Sequence, residues 1–228
     1  MPTELIIALD VDSLDAAKRA VDTCVGCTWF KAGLQLFSRT GPAIVDQLRG
    51  AGKHVFLDLK LHDIPNTVKH AARAAADLGV DLMTVHASGG RKMIAAAREA
   101  VDGTETRILA VTVLTSISSD VLRDEVGIKA GAETTVSRLA KLAYESGAHG
   151  IVSSPHEIAV VRESVGRSTL IVTPGIRPAW AVADDQARFL TPRDAARAGA
   201  DFIVVGRPIL KHDSPAEAVA LVLKELTA

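Results

Sequence analysis

Three ionisable side chains follow a short apolar stretch in the first third of the chain: Asp58, Lys60 and Asp63. The stretch itself, residues 54–57, is typical of a buried strand. Side chains two apart on a strand point to the same side, so we expect Asp58 and Lys60 on one face. Asp63 would lie beyond the strand, on the turn into a helix that begins near Pro65, since proline suits a first helical turn. Buried charges are unfavourable unless they pair, so the pattern predicts either a reaction centre or a structural ion pair.

These charges belong to one of eight repeats of a short apolar strand followed by an amphipathic helix. The strands are predicted at residues 5–9, 28–31, 54–60, 82–86, 107–114, 150–153, 170–173 and 202–206. The helices are predicted at residues 15–24, 42–51, 67–78, 91–101, 134–146, 156–164, 192–198 and 215–226. Eight such alternations favour a parallel sheet that closes into a barrel. An open doubly wound sheet is the alternative, but it favours a Gly-rich turn after the first strand, and residues 8–13 contain no glycine.

The fold class that follows is α/β, a single (β/α)8 TIM barrel over residues 1–228, because no linker or low-complexity tract divides the chain. Two connections are longer than the rest. Residues 116–133 leave room for a short extra helix, and the polar, Ala-rich segment at about residues 175–191 is predicted to be a lid over the site.

Barrels of this kind carry their active sites at the carboxyl ends of the strands. The residues predicted there are Asp10, Lys31, Asp58, Lys60, His86, Thr115, Ser153, Thr173, Gly206 and Arg207. Barrels often bind phosphate with the loops after strands seven and eight, and Arg207 can do so through forked hydrogen bonds. A solvated turn is the alternative interpretation of Gly206 and Arg207. His86 is more typical of a satisfied polar contact than of a catalyst, and His62 is expected to be structural.

Composition excludes several classes of partner. The chain has 228 residues, a net charge of −1 and interspersed acids and bases, so no concentrated basic patch is available for nucleic acid or an anionic membrane surface. No apolar run approaches the ~18 residues of a membrane span. The first residues carry no basic segment, and Asp10 and Asp12 interrupt the apolar run, so we expect no signal peptide and a cytoplasmic location. Cys24 and Cys27 close a helix instead of opening one, so reduced thiols are predicted, with neither a redox nor a metal role.

Six motifs in order along nearly the whole chain resemble the orotidine 5'-phosphate decarboxylase family. They are Ala8-Leu-Asp10, Phe30-Lys-Ala-Gly33, Asp58-Leu-Lys-Leu-His-Asp-Ile-Pro-Asn-Thr67, Leu114-Thr-Ser116, Thr173-Pro-Gly-Ile-Arg177 and Val205-Gly-Arg207. The third is far more specific than a bare D-x-K-x-x-D, and the chain departs from the family at none of these positions. The resemblance implies a barrel of the ribulose-phosphate-binding type, in the shorter bacterial form.

The resemblance implies decarboxylation of orotidine 5'-monophosphate to uridine 5'-monophosphate, the last step of UMP synthesis, without a cofactor or a metal. Loss of CO2 leaves a carbanion at C6, so the enzyme must supply electrostatic stabilisation and a proton. Lys60, flanked by Asp58 and Asp63, should remain an ammonium, because nearby carboxylates favour its charged form. It would stabilise the carbanion and protonate C6. Lys31 extends the charge network and, with Asp58, also contacts the substrate.

The remaining roles are likewise implied by the resemblance. Asp10 would bind the ribose or pyrimidine side of the nucleotide, and Thr115 and Ser116 would hold the pyrimidine. The phosphate would be bound by Arg177, Gln186, Gly206 and Arg207, with Gln186 delivered by the lid. Asp63 and Thr67 would enter the site of the neighbouring subunit, so a homodimer is expected.

Three alternatives remain at this point. A related sugar-phosphate decarboxylase or hexulose-phosphate synthase would bind Mg²⁺ through a glutamate at the end of the second strand, where this chain has Lys31, whose ammonium repels a metal. An aldolase would need Lys60 as a neutral nucleophile, which two carboxylates oppose. A catalytically inactive barrel would show damage in the charge network, and the sequence shows none.

Overall fold

The computed structural model describes residues 2–181 and 190–227 as a closed barrel of eight parallel strands in chain order, β1 to β8. The strands are β1 (Glu4–Ala8), β2 (Trp29–Gly33), β3 (His54–Leu61), β4 (Leu82–His86), β5 (Arg107–Val111), β6 (Gly150–Val152), β7 (Leu170–Pro174) and β8 (Phe202–Val205). β1 pairs with both β2 and β8, which closes the barrel. The predicted fold class is therefore confirmed, and an open sheet is excluded.

Eleven helices lie within the described ranges. They are α1 (Leu14–Thr23), α2 (Leu34–Thr40), α3 (Ala43–Gly50), α4 (Pro65–Asp77), α5 (Gly90–Ala100), α6 (Ser119–Asp124), α7 (Ala132–Glu145), α8 (Ile158–Val165), α9 (Pro192–Ala198), α10 (Arg207–Leu210) and α11 (Pro215–Leu226). The eight predicted helices are present with ends shifted by a few residues, and α6 is the extra helix anticipated after the fifth strand. The sequence interpretation missed α2 and α10, both of which are short.

Two apolar clusters build the core. The larger one lies between the barrel and its helices and includes Ile7, Phe30 and Val85. The smaller one fills the barrel with inward-facing side chains such as Ile6, Phe56 and Val204. Because strand side chains alternate, every second residue of a strand enters this inner cluster. Towards the carboxyl ends of β1 to β4 the inward positions become polar, which creates the site described below.

The fifth strand is shorter than predicted: it ends at Val111, not at residue 114. The next residue, Thr112, directs both its backbone N–H (3.2 Å) and its hydroxyl (3.2 Å) to the carbonyl oxygen of Val152. The chain then turns, with the N–H of Ile117 donating to the carbonyl of Leu114. An apolar run alone does not reveal this change from ladder to turn.

The two cysteines are free and buried at the end of α1. Burial raises the pKa of Cys24, and it raises the pKa of Cys27 to about 11. Both groups are therefore protonated thiols near neutral pH. Among the described residues no helix is long and apolar enough to cross a membrane.

Candidate active site

A chain of alternating charges runs across the carboxyl ends of β1, β2 and β3. The Lys31 ammonium lies 3.8 Å from Asp10 Oδ1 and 3.6 Å from Asp58 Oδ2. The Lys60 ammonium donates to the same Asp58 oxygen at 2.8 Å. The register of β2 on β3 pairs Gly33 with Asp58, and a side chain at Gly33 would come within 2.8 Å of Lys31 Nζ. The glycine therefore leaves the room that the lysine needs to reach the carboxylate.

Asp58 is the central and most buried carboxylate of the network, since its side chain is only 12% exposed. A carboxylate at that depth is stable only with partners for its oxygens. One oxygen accepts from Lys60, and the other accepts from the hydroxyl of Thr84 on β4 at 2.9 Å. The expectation that Asp58 and Lys60 share one face is confirmed by their contact.

The backbone that carries Lys60 is irregular. Its φ is +51°, the only positive φ among the described residues other than glycine. At the same place the pairing of β3 with β4 shifts register between Leu57 and Leu61. Non-glycine residues in the left-handed region are uncommon and occur where the surroundings hold them, often at functional sites. Simple strand alternation did not predict this conformation.

Two adjoining cavities open beside the charge network. The inner cavity, of about 220 Å³, is lined by Lys31, Asp58, Lys60 and Thr115 together with apolar side chains such as Val111. The outer cavity, of about 580 Å³, has Asp10, Lys31, Arg177, Gly206, Arg207 and Lys211 among its lining residues. Lys31 lines both, so the cavities meet at the charge network. The inner cavity can hold a flat, partly apolar group beside paired ammoniums, and the outer one is cationic.

The outer cavity is built by the loops after β7 and β8. Arg207 is exposed and forms no ion pair with a described residue. At Gly206 an added Cβ would lie 3.2 Å from Asp10 Oδ2, so a side chain would crowd the carboxylate. Lys211, which the sequence interpretation missed, adds another cation to the lining. Lys211 comes one helical turn after Arg207, and nothing in the sequence indicates that it faces the same cavity.

Asp63 and Thr67 do not join the network within one chain. All six residues 62–67 are exposed, and Asp63 accepts a hydrogen bond from the backbone N–H of Ile64 at 2.6 Å. Among the described ion pairs none links Asp63 to Lys60. The triplet predicted from sequence is thus a contacting pair plus one carboxylate directed elsewhere.

Two further predicted residues, Thr115 and Ser116, differ in their relation to the inner cavity. Both residues are exposed, and Thr115 lines the inner cavity, whereas Ser116 does not. Gln186 lies outside the described residues, as do all of residues 182–189 of the predicted lid, so the lid stays a prediction.

The two histidines near the network form a pair of their own. The rings of His62 and His86 are 5.3 Å apart and tilted. Burial, followed by the nearby His62 and Lys60, lowers the pKa of His86. A neutral imidazole at neutral pH is compatible with the polar contact predicted for His86.

The side chains around Asp58 favour its pairing with ammonium groups over the binding of a metal ion. Within residues 2–181 and 190–227, no group of three or more histidine, cysteine, aspartate or glutamate side chains is arranged to hold a metal. The oxygen of Asp58 that a metal would take already faces two lysines, Lys31 and Lys60. Mg²⁺ prefers oxygen ligands, and two cations beside the carboxylate would oppose its binding.

Comparisons with known proteins agree on one family. The family model described as "Orotidine 5'-phosphate decarboxylase / HUMPS family" matches residues 3–222. A protein named orotidine 5'-phosphate decarboxylase from Anaeromyxobacter sp. (strain K) is 53% identical over 221 residues, covering 95% of this chain and 96% of that protein. Another of the same name from Heliobacterium modesticaldum is 48% identical and covers 97% of this chain and 95% of that protein. The crystal structure of orotidine 5'-phosphate decarboxylase from Lactobacillus acidophilus superposes with a TM-score of 0.88 at 38% identity, over 100% of both chains.

Proposed function

The chain belongs to the orotidine 5'-phosphate decarboxylase / HUMPS family, and we propose that its charged cavity converts orotidine 5'-monophosphate into uridine 5'-monophosphate and CO2. This is the decarboxylation that completes pyrimidine nucleotide synthesis. The observation that carries the proposal is the Lys60 ammonium, paired at 2.8 Å with a buried carboxylate at the wall of the inner cavity. Relatives of that name align over nearly the whole chain and support the reaction over that of a metal-dependent sugar-phosphate enzyme.

The pyrimidine fits the inner cavity by its chemistry. Apolar side chains would contact the ring faces, and Thr115, with the nearby Ser116, would bond its polar edge. The substrate carboxylate would point towards Asp58, and C6 towards Lys60. When CO2 leaves, the electron pair of the broken bond stays on C6, where the ammonium stabilises it and then transfers a proton to it. Lys31 keeps Asp58 paired while the Lys60 proton moves.

The phosphate and ribose fit the outer cavity. Arg177 and Arg207 supply guanidinium groups for the phosphate, and the backbone at Gly206 can approach closely because it carries no side chain. Gln186 is assigned to the phosphate site by the resemblance alone. Asp10, which lines the outer cavity beside Lys31, would accept a hydrogen bond from a ribose hydroxyl. Phosphate binding remote from C6 then supplies energy that organises the reacting centre.

A homodimer would complete each site. The exposed run 62–67 contains Asp63, Thr67 and the apolar Ile64, which is 66% exposed in the single chain. A second copy that covers this run would bury Ile64 and bring the partner's carboxylate beside Lys60, restoring the alternation of charges. The reaction would need no cofactor and no metal. The unpaired thiols Cys24 and Cys27 favour a reducing, cytoplasmic compartment.

The test is turnover of orotidine 5'-monophosphate, followed by the loss of its ultraviolet absorbance, with and without EDTA. We expect turnover that EDTA leaves unchanged and that Lys60→Ala abolishes. No turnover by the native protein would refute the proposal. Activity on a sugar phosphate that EDTA abolishes would favour the metal-dependent relatives instead.

Mixing two inactive variants tests the shared site. Lys60→Ala and Asp63→Ala each damage a different half of it, so a mixed dimer retains one intact site out of two. Half of randomly re-formed dimers are mixed, and activity should return to about a quarter of the native value. Re-formed mixtures that stay inactive, although both variants dimerise, would contradict the exchange of Asp63 between subunits.

A further inference from the structure

The hydroxyl of Thr84 lies between the two groups that the proposed reaction uses most directly. It donates to Asp58 Oδ1 at 2.9 Å and accepts from the backbone N–H of Lys60 at 2.8 Å. Thr84 is fully buried on β4, at 0% exposure. One hydroxyl therefore forms hydrogen bonds with both a carboxylate side chain and a backbone amide of β3. Both bonds lie where the pairing of β3 with β4 shifts register.

The second contact bears on a strained conformation. Lys60 has a φ of +51°, in the left-handed region that residues with a Cβ rarely adopt. Its N–H cannot join a regular ladder at the register shift, and the Thr84 hydroxyl takes the place of the missing carbonyl acceptor. A buried N–H without an acceptor is unfavourable, so this bond helps to hold the backbone in the conformation that aims the lysine into the barrel.

The hydrogen bond from Thr84 to Asp58 fixes the carboxylate of the ion pair. Asp58 uses Oδ2 for Lys60 and Lys31, and Oδ1 for Thr84, so the carboxylate cannot rotate without breaking a bond on one side. Hydrogen bonds to an ionised group are shorter and stronger than neutral ones. The hydroxyl thereby orients both the carboxylate and the backbone of the residue that it pairs with.

We propose that Thr84 is a positioning residue for proton transfer, which sets the geometry of Lys60 and Asp58 without touching the substrate. This inference rests on the proposed decarboxylation. A misplacement of about 1 Å at a reacting group can lower a rate a hundredfold. Loss of the hydroxyl should therefore lower kcat while leaving phosphate binding in the outer cavity intact, so that KM changes little.

The test compares Thr84→Val, which removes the hydroxyl and keeps the shape, with Thr84→Ser, which keeps the hydroxyl. We expect kcat of Thr84→Val to fall at least tenfold with KM within threefold of native, and kcat of Thr84→Ser to stay within threefold. Thr106→Val is the matched control, since Thr106 is a buried threonine whose hydroxyl donates to the Val80 carbonyl at 2.7 Å outside the cavities. It should leave kcat and KM unchanged.

Amide hydrogen exchange provides a second readout that does not depend on activity. The Lys60 amide should be protected in the native protein and should exchange at least tenfold faster in Thr84→Val. The inference is overturned if folded Thr84→Val keeps kcat within threefold, or if its loss is confined to KM. Should Thr84→Val fail to fold, two other results overturn the inference as well. One is an unprotected Lys60 amide in the native protein, and the other is a Thr84→Ser variant whose kcat is as low as that of a Thr84→Ala variant. A native protein inactive on orotidine 5'-monophosphate would instead refute the proposed function, while the exchange experiment would still test the bond.

Discussion

Replacing Asp58 by asparagine removes the carboxylate that Lys31 and Lys60 share while keeping its size. The new amide keeps one acceptor oxygen and replaces the other by an NH2 donor, so the change removes the charge together with one of the two acceptors that Asp58 uses for Lys60 and Thr84. Lys31 keeps Asp10 at 3.8 Å, whereas Lys60 loses the only ion-pair partner it has among the described residues. We expect Asp58→Asn to lower the free energy of unfolding and to abolish most of the activity.

The size of the stability loss follows from burial. Removing one partner of a buried ion pair costs about 3–5 kcal/mol, because the other charge is left uncompensated. The Lys60 side chain is 28% exposed, so water can partly solvate its ammonium and the lower end applies. A loss of about 3 kcal/mol corresponds to a fall in Tm of roughly 6–12 °C for a domain of this size.

Urea unfolding at pH 7 measures this loss, with an unchanged m-value as the sign that the folded and unfolded states stay comparable. The matched control is Glu99→Gln, the same acid-to-amide change in an exposed pair whose oxygen lies 2.6 Å from Lys69 Nζ. Exposed pairs contribute about 0–1 kcal/mol, so this variant should unfold nearly as the native protein does.

A double variant tests whether the uncompensated Lys60 ammonium causes the loss of stability. Adding Lys60→Met to Asp58→Asn removes the uncompensated ammonium, and we expect it to recover at least about 1 kcal/mol relative to Asp58→Asn alone. The reasoning is refuted if Asp58→Asn is as stable as Glu99→Gln, or if the double variant is no more stable than the single one.

Three further predictions concern binding, packing and pH. Arg207→Ala should lower kcat/KM for orotidine 5'-monophosphate at least tenfold but leave turnover of the phosphate-free nucleoside unchanged; a loss within twofold, about 0.4 kcal/mol, would contradict a phosphate role. Gly150→Ala should cost about 1–3 kcal/mol or more in urea unfolding, since its Cβ would lie 2.6 Å from Leu109 Cδ2 and 2.8 Å from the Leu170 carbonyl oxygen. Gly50→Ala, with open space around it, is the control and should be neutral or slightly stabilising; equal losses would disprove the packing argument. His149 accepts from the Ile108 N–H at 2.9 Å, and burial, with Arg98 and Arg107, lowers its pKa. The folded state therefore resists protonation, and stability should fall as pH drops below about 6.5. His149→Gln should lose less stability between pH 7 and pH 5 than the native protein, and the exposed His70→Gln should behave as native; an unchanged pH dependence in His149→Gln would contradict the assignment.

The strand and helix periodicity made the barrel predictable. Alternating apolar strands and amphipathic helices depend on local sequence, and eight such units leave few closed arrangements. The polar residues at strand ends could be named for the same reason, since Asp10, Lys31 and Asp58 each interrupt or follow an apolar run. Short helices such as α2 and α10 were missed, because a few residues carry too little periodicity to be recognised.

The sequence by itself determined the barrel and the residue types at its mouth, because both follow from patterns of neighbouring residues along the chain. Only the tertiary structure decided which of those residues meet. Register between neighbouring strands places Thr84 against Asp58 and Lys60, a contact across 24 and 26 residues of chain that no local pattern contains. It also directs Asp63 to the surface and holds Lys60 at a positive φ. Long-range pairing fixes such contacts, because the packing of β3 on β4, and not the preference of a single residue, sets the backbone there.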